Sequence, residues 1–325
     1  MLAFILRRLG QSLLVIAVMA TLVFLGVYLL GNPIDILINP EADQLERERA
    51  IVRLGLDRPL WTQFGLFVAS AFSGNLGTSF VHGVPAVGLI LDRMPATMEL
   101  AFVALVIAVV LGIPLGLVAG LFSQSFAARG IMAGSIVGFS LPNFWLGLML
   151  ILLFAVDLNI LPAGGRGETR TLFGIHWSLF TLDGLKHLIL PAITLAVYKA
   201  SLIVRLAYAG TREAMLQDFV RFARAKGLSR KRIVGVHVLK VILIPVVTVI
   251  GLELGSMIAF AVVTETVFAW PGMGKLLIES IYRLDRPVIV AYLVIVVGMF
   301  VVINLVVDII YMLLDPRVRL SEREG

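Results

Sequence analysis

Six long apolar runs, parted by connectors in which Lys and Arg concentrate, predict an all-α integral membrane protein with six transmembrane helices. Composition leads to the same class. Of 325 residues, 59% are hydrophobic and only 15% charged, and the mean hydropathy is +1.00, which is more apolar surface than one soluble core can hide. The formal net charge of +6 falls at span ends and connectors, where the inside-positive bias explains it without a nucleic-acid partner. Cysteine is absent, so disulfides, thiolate catalysis and Cys-ligated metals are excluded.

Arg7-Arg8 precede Leu9 to Gly31, an apolar run long enough to cross about 30 Å of hydrocarbon. It is longer than the apolar region of a secretory signal and no Ala-x-Ala site closes it. Residues 1–31 are therefore expected to form an uncleaved transmembrane helix with its N-terminus inside. Residues 32–96 are too polar to span and are expected as an external loop region with short helices, Glu41 to Leu54 charged and Leu60 to Phe72 amphipathic. Within them, the glycines of Gly74-Asn75-Leu76-Gly77-Thr78-Ser79 favour a tight turn, and no Lys follows at the spacing of a phosphate-binding loop.

Residues 97–314 hold the remaining spans, read as Thr97 to Phe122, Ile131 to Val156, His187 to Tyr208, Ile242 to Val263 and Pro287 to Leu314. Pro142 removes a helical hydrogen bond inside the third span, which predicts a kinked helix facing a partner or a cavity rather than lipid. Asp157 to Lys186 and Thr264 to Gly274 are expected outside. The tail, 315–325, carries Arg317, Arg319 and Arg323 and is expected in the cytoplasm.

Between the fourth and fifth spans, Thr211 to Pro245 carries Arg212, Arg221, Arg224, Lys226, Arg230, Lys231, Arg232 and Lys240 against only Glu213 and Asp218. Read as a helix, Phe219, Phe222, Ala223, Leu228, Ile233 and Val236 make an apolar stripe that Gly227 interrupts, predicting two short helices at a bend along the inner face of the membrane. A basic amphipathic helix adsorbed to anionic lipid fits that composition equally well.

Two charges lie deep in the apolar runs. Lys199 and Glu253 each fall about a dozen residues from a span end, near the midplane, where an isolated charge is costly and normally pairs or faces water. They are expected either to pair between neighbouring helices or to line a path on which they meet the termini of a zwitterionic substrate. The four histidines, His82, His176, His187 and His237, show no metal-ligand spacing. No Ser nucleophile motif or paired acids stand out, so no enzyme site is expected.

Phe219-Val220-Arg221-Phe222-Ala223-Arg224-Ala225-Lys226-Gly227-Leu228-Ser229, followed by Arg232, His237, Leu239 and Ile244-Pro245, resembles the coupling-loop signature of ABC-importer permeases of the dipeptide, oligopeptide and nickel group. Arg221-Phe222-Ala223 stand where Glu-Ala-Ala is usual and Pro245 falls late, departures typical of the peptide and nickel branch. The 74–79 element, with Asn75 for the usual Asp, is similar to that group too, as are Ser140 to Gly147, Thr264 to Gly274 and Asp315-Pro316-Arg317. The chain is most like the B-type subunits of dipeptide permeases.

That resemblance implies a type I ABC importer transmembrane-domain fold in which 97–314 is the core permease domain and 211–240 the coupling loop. It implies that Phe219, Arg221, Phe222, Ala223, Arg224, Ala225, Lys226, Gly227, Leu228, Ser229 and Arg230 couple the chain to an ATPase. The translocation path is expected from position rather than from the resemblance, with Pro142, Asn143 and Glu265 on it and with Lys199 and Glu253 either there or simply paired between helices. The implied partners are a second homologous permease subunit, two cytoplasmic ABC ATPase subunits, an extracytoplasmic solute-binding protein and membrane lipid. No cofactor is expected on this chain, ATP and Mg being bound by the ATPases. The implied cargo is di- or oligopeptide, with nickel chelates, haem, glutathione or oligosaccharide as alternatives, crossing the bacterial cytoplasmic (inner) membrane. An ion-coupled secondary transporter is the rival class; it predicts similarly interrupted spans in two halves, yet the basic connector has no counterpart between the second and third spans.

Overall fold

The computed structural model describes residues 2–29, 44–53 and 57–314. The expected segments 30–43, 54–56 and the tail 315–325, with its Asp315-Pro316-Arg317 element, lie outside them. In chain order the helices are α1 (Leu2–Leu29), α2 (Gln44–Arg53), α3 (Leu60–Phe72), α4 (Ala86–Leu121), α5 (Phe126–Ser140) and α6 (Asn143–Leu150). They continue as α7 (Leu182–Leu216), α8 (Asp218–Ala225), α9 (Arg230–Arg232), α10 (Leu239–Val267), α11 (Met273–Tyr282) and α12 (Arg286–Leu314). Single π-helical stretches extend α6 (Ile151–Asp157) and join α9 to α10 (Ile233–Val238). The strands β1 (Arg170–Leu172) and β2 (Ile175–Trp177) form an antiparallel hairpin with Thr171 opposite His176.

Among the described residues four helices are long and apolar enough to cross a membrane: α4, α7, the Pro245–Val267 part of α10 and the Arg286–Val307 part of α12. A fifth is counted if α5 and the α6 segment, bent by 106°, form one span. α1 carries a shorter apolar stretch, Leu13–Gly26. The predicted kink at Pro142 is thus a full break, for a reason local to the sequence. The proline ring disfavours helical geometry in the residue before it, and Leu141 is extended at φ −75°, ψ 129°. Two other boundaries move. α4 begins at Ala86 rather than at Thr97, and α10 runs through Thr264 to Val267, which the sequence placed in an outer stretch.

The chain divides into two compact units, Met1–Thr97 with Pro271–Val301, and Met98–Trp270 with Val302–Gly325. In the first, Phe24 of α1 meets Phe64 of α3 edge to face with ring centres 5.2 Å apart. Ile289 and Val290 of α12 are buried against Leu277, Ile281, Leu293 and Val294. The loop after α3 is fastened to the residue before α12: the buried Asp285 carboxylate accepts the Ser79 hydroxyl and the Phe80 backbone N–H, the latter at 3.0 Å. Asn75 closes the turn ahead of it by accepting the Gly77 N–H at 3.0 Å.

In the second unit α7 is the central mast, packed against α5, α6 and α10. α4 joins it through Gly112, Gly116 and Gly120, spaced by four residues. A Cβ on Gly116 would lie 2.6 Å from the Ala207 Cβ and 3.0 Å from the Tyr208 nitrogen, so the two backbones are in contact. Such small-residue seams are how helices associate in lipid, where apolar burial itself gives no driving force. The rest of α4 agrees: Ala101, Ala104 and Ala108 are buried while Phe102, Val106 and Val110 are exposed, so large apolar side chains face outward.

Candidate functional site

Two features of the second unit have the chemistry of a site. One is the basic elbow between α7 and α10. Asp218 and Arg224 occupy the first and last turns of α8, the signs that suit its dipole. The helix ends in a Schellman motif: the Leu228 N–H donates to the Ala223 carbonyl at 3.1 Å and the Gly227 N–H to the Arg224 carbonyl at 2.9 Å, with Gly227 at φ +73°. Ser229 then caps the next helix, its hydroxyl accepting the Arg232 N–H at 3.4 Å. The bend predicted at Gly227 is therefore built from a helix stop and a helix start with the four residues Lys226 to Ser229 between them.

The elbow has two faces. Val220 and Ala223 are buried by this chain itself, holding α8 on α7 and the following π segment, and Phe219 and Leu228 are half-buried. Arg221, Phe222, Arg224, Ala225, Lys226, Ser229 and Arg230 are exposed, Phe222 by 69%. Ala223 thus packs inward, so the surface left for another protein is Phe222 with its basic neighbours. A cavity of about 590 Å³ between Met215, Arg224, Gly227, Leu228, Arg230 and Ile233 opens beside it, and the Arg230 guanidinium sits 4.9 Å from the centre of the Phe122 ring.

The other feature is a cavity of about 520 Å³ at the break between α5 and α6, closed by α7 and α10. Pro142, Asn143 and Lys199 line it together with Phe139, Tyr198, Met257 and Phe260. Lys199 donates to the Glu253 carboxylate and, at 2.7 Å, to the Ser256 hydroxyl, which in turn lies 2.8 Å from the same carboxylate. Phe139 and Tyr198 stack across α5 and α7 with centres 4.6 Å apart, and Arg205 lies 4.2 Å from the Phe139 ring. The sequence reading named Lys199, Glu253, Pro142 and Asn143; Ser256, Arg205 and the aromatic pair escaped it. Glu265 does not line this cavity. It is fully buried in the last turn of α10, where its carbonyl accepts the Trp270 N–H at 2.8 Å.

Another buried charge is structural. The Glu99 side chain is wholly buried and accepts the Arg166 guanidinium at 2.8 Å and the N–H groups of Ser178 and Leu179 at 2.7 and 2.8 Å. Arg166 also donates to the His176 carbonyl at 2.6 Å, so this pair clamps the hairpin segment to α4. Among the described residues no three His, Asp or Glu side chains converge as a metal site would require.

Comparison with known proteins gives the frame for both features. Residues 112–320 match the model described as the binding-protein-dependent transport system inner membrane component, and residues 1–101 match its N-terminal counterpart. The di/tripeptide transport system permease protein DppB of Pseudomonas aeruginosa (strain UCBPP-PA14) is 40% identical over 333 residues, 98% of this chain and 99% of that one. The dipeptide transport system permease protein DppB of Escherichia coli (strain K12) is 36% identical, again over 98% and 99% of the two chains. The oligopeptide transport system permease protein AppB of Bacillus subtilis (strain 168) is also 36% identical over those shares. Among solved structures, a chain of the inward-facing MetNI methionine ABC transporter superposes with a TM-score of 0.57 at 18% identity, covering 70% of this chain and 96% of that one, which establishes a common fold. On the family match and these full-length relatives, the chain belongs to the inner membrane components of binding-protein-dependent transport systems.

Proposed function

We propose that this chain is one permease subunit of an ATP-driven ABC importer that passes small peptides, delivered by an external binding protein, across the cytoplasmic membrane by alternating access. The peptide assignment rests on what the full-length relatives are named for. Membership of a binding-protein-dependent family favours an importer over an ion-coupled carrier, and the relatives' names favour peptide over the other cargoes. The chain carries no nucleotide-binding loop of its own, so the work is done on it from outside. In this reading a homologous permease completes the pore, two ATPase subunits bind ATP and Mg, and both termini face the cytoplasm with α1 and the α5–α6 segment completing six spans. The outer region 32–96, the core 97–314 with its coupling loop 211–240 and the tail 315–325 then take the roles the sequence suggests.

The observation that carries the reading is the two-faced elbow. A helix fixed on one side to α7 and to the π-helical stretch that leads into α10, and offering an exposed Phe with Arg and Lys on the other, transmits a push without absorbing it. Phe222 seats in a groove of the ATPase as helix anchors generally do, and Arg221, Arg224, Lys226 and Arg230 supply rim charges that steer docking. Closure of the ATPases moves the elbow, and the spans rock between inward-facing and outward-facing states. The test is ATPase activity stimulated by the loaded binding protein in proteoliposomes. Phe222→Ala removes a central aromatic anchor of a kind worth about 2 kcal/mol or more and is expected to lower stimulated turnover at least several-fold while the chain still inserts. Unchanged stimulation removes the elbow from the coupling path.

A further inference from the structure

The Lys199–Glu253–Ser256 cluster is closed upon itself. Lys199 and Glu253 neutralise one another, Ser256 bridges them, and their side chains are only 10% and 19% exposed. Lys199 nevertheless lines the 520 Å³ cavity, and Glu253 lies on the same face of α10 as two other lining residues, Met257 and Phe260, four and seven positions along. That volume falls within the range of small-molecule pockets. Ser140 and Asn143 add polar groups to a wall otherwise aromatic and apolar, with Phe139 and Tyr198 stacked at 4.6 Å beside the ammonium.

Buried charge decides which ligand can enter. An anion that draws Lys199 away leaves Glu253 without its counter-charge, and a cation that draws Glu253 away strands Lys199; either leaves an uncompensated charge in a largely buried place, which is strongly unfavourable. A zwitterion brings both charges at once. We propose that this cluster is a self-neutralised receptor for small peptides with two free ends, whose C-terminal carboxylate takes Lys199 and whose ammonium takes Glu253. Ser256 holds whichever group is exchanging, and the two side chains rejoin when the peptide leaves. An extended dipeptide spans about 7 Å, a gap that two long, flexible side chains on adjacent helices open by changing rotamer. The inference rests on the peptide-import reading and adds to it the groups that recognise the cargo within the membrane.

The test uses the full complex in nanodiscs without the binding protein. Three probes are measured for binding: alanyl-alanine, its N-acetyl derivative and its C-terminal amide. The wild type is expected to prefer the free dipeptide. Lys199→Met leaves an unpaired carboxylate and is expected to shift preference towards the amide, a net cation, by at least tenfold. Glu253→Gln is expected to shift it as far towards the acetylated, anionic probe. The double variant restores neutrality and is expected to bind all three within a few-fold of one another, which keeps the test decisive if either single variant fails to fold. Affinity ratios that stay constant across the variants, or a wild-type complex that binds none of the probes, overturn the proposal. Failure of the peptide reading itself is separate: it is a wild-type complex that, given its binding protein and ATP, takes up no peptide at all.

Discussion

Removing a single buried partner is the most severe change this molecule offers. Glu99 has no solvent contact and depends on Arg166, so Arg166→Met is expected to destabilise the complex by about 3–5 kcal/mol, read as a lowered thermal midpoint. Pairing it with Glu99→Gln should recover part of that loss. The elbow needs a finer distinction. Ala223→Asp buries a carboxylate among this chain's own residues, so it is expected to loosen α8 and raise proteolysis at the bend, whereas a change at Phe222, 69% exposed, is expected to leave this chain's own packing intact. Lys199 and Glu253 were legible in the sequence because a charge deep in an apolar run has few explanations. Their companion Ser256, and Arg166 and Asp285, were not, because an ordinary polar residue acquires meaning only from a neighbour far along the chain. The Arg166 and Glu99 pair is separated by 67 positions.

Elements were easier to place than to shape. Pro142 announced an interruption, but only the extended Leu141 turned the expected kink into a 106° break. Gly227 announced the bend, and its φ of +73° shows why glycine stands there. Since a side chain at that position meets open space, Gly227→Ala is expected to cost only the left-handed strain of about 1–2 kcal/mol and to weaken ATPase coupling partially. The seam of Gly112, Gly116 and Gly120 was visible as a spacing of four yet passed unread, because the chain has 30 glycines and spacing alone does not say which helix lies opposite. Gly116→Leu is expected to push α4 from α7 and to lower the yield of folded complex sharply, measured by size-exclusion chromatography, since the nearest atoms include backbone that cannot turn aside. The hairpin was missed for another reason: Phe173 sits at its tip with φ 53°, a conformation that bulky residues rarely adopt.

At the scale of the whole molecule the class was legible in composition alone, whereas sidedness is an expectation that labelling tests. α7, 35 residues from Leu182 to Leu216, is about 52 Å long, more than the roughly 30 Å of hydrocarbon it crosses. The hairpin before it and the elbow after it therefore lie on opposite sides of the bilayer. The chain has no cysteine, so single introduced thiols report cleanly. Phe173→Cys is expected to react with an impermeant maleimide on intact cells, and Arg221→Cys only after the membrane is opened. The span count was less legible, because a broken span and a short apolar N-terminal stretch leave four or five clear crossings among the described residues.

The backbone contact between α4 and α7 has one more consequence. Where two helices touch main chain to main chain there is no slack, so α4 and α7 are expected to travel as a single spar, with the give of the second unit concentrated at the α5–α6 break beside them. A covalent tie between Phe139→Cys and Tyr198→Cys, whose rings stack beside that break with centres 4.6 Å apart, should stop the cycle wherever it is caught.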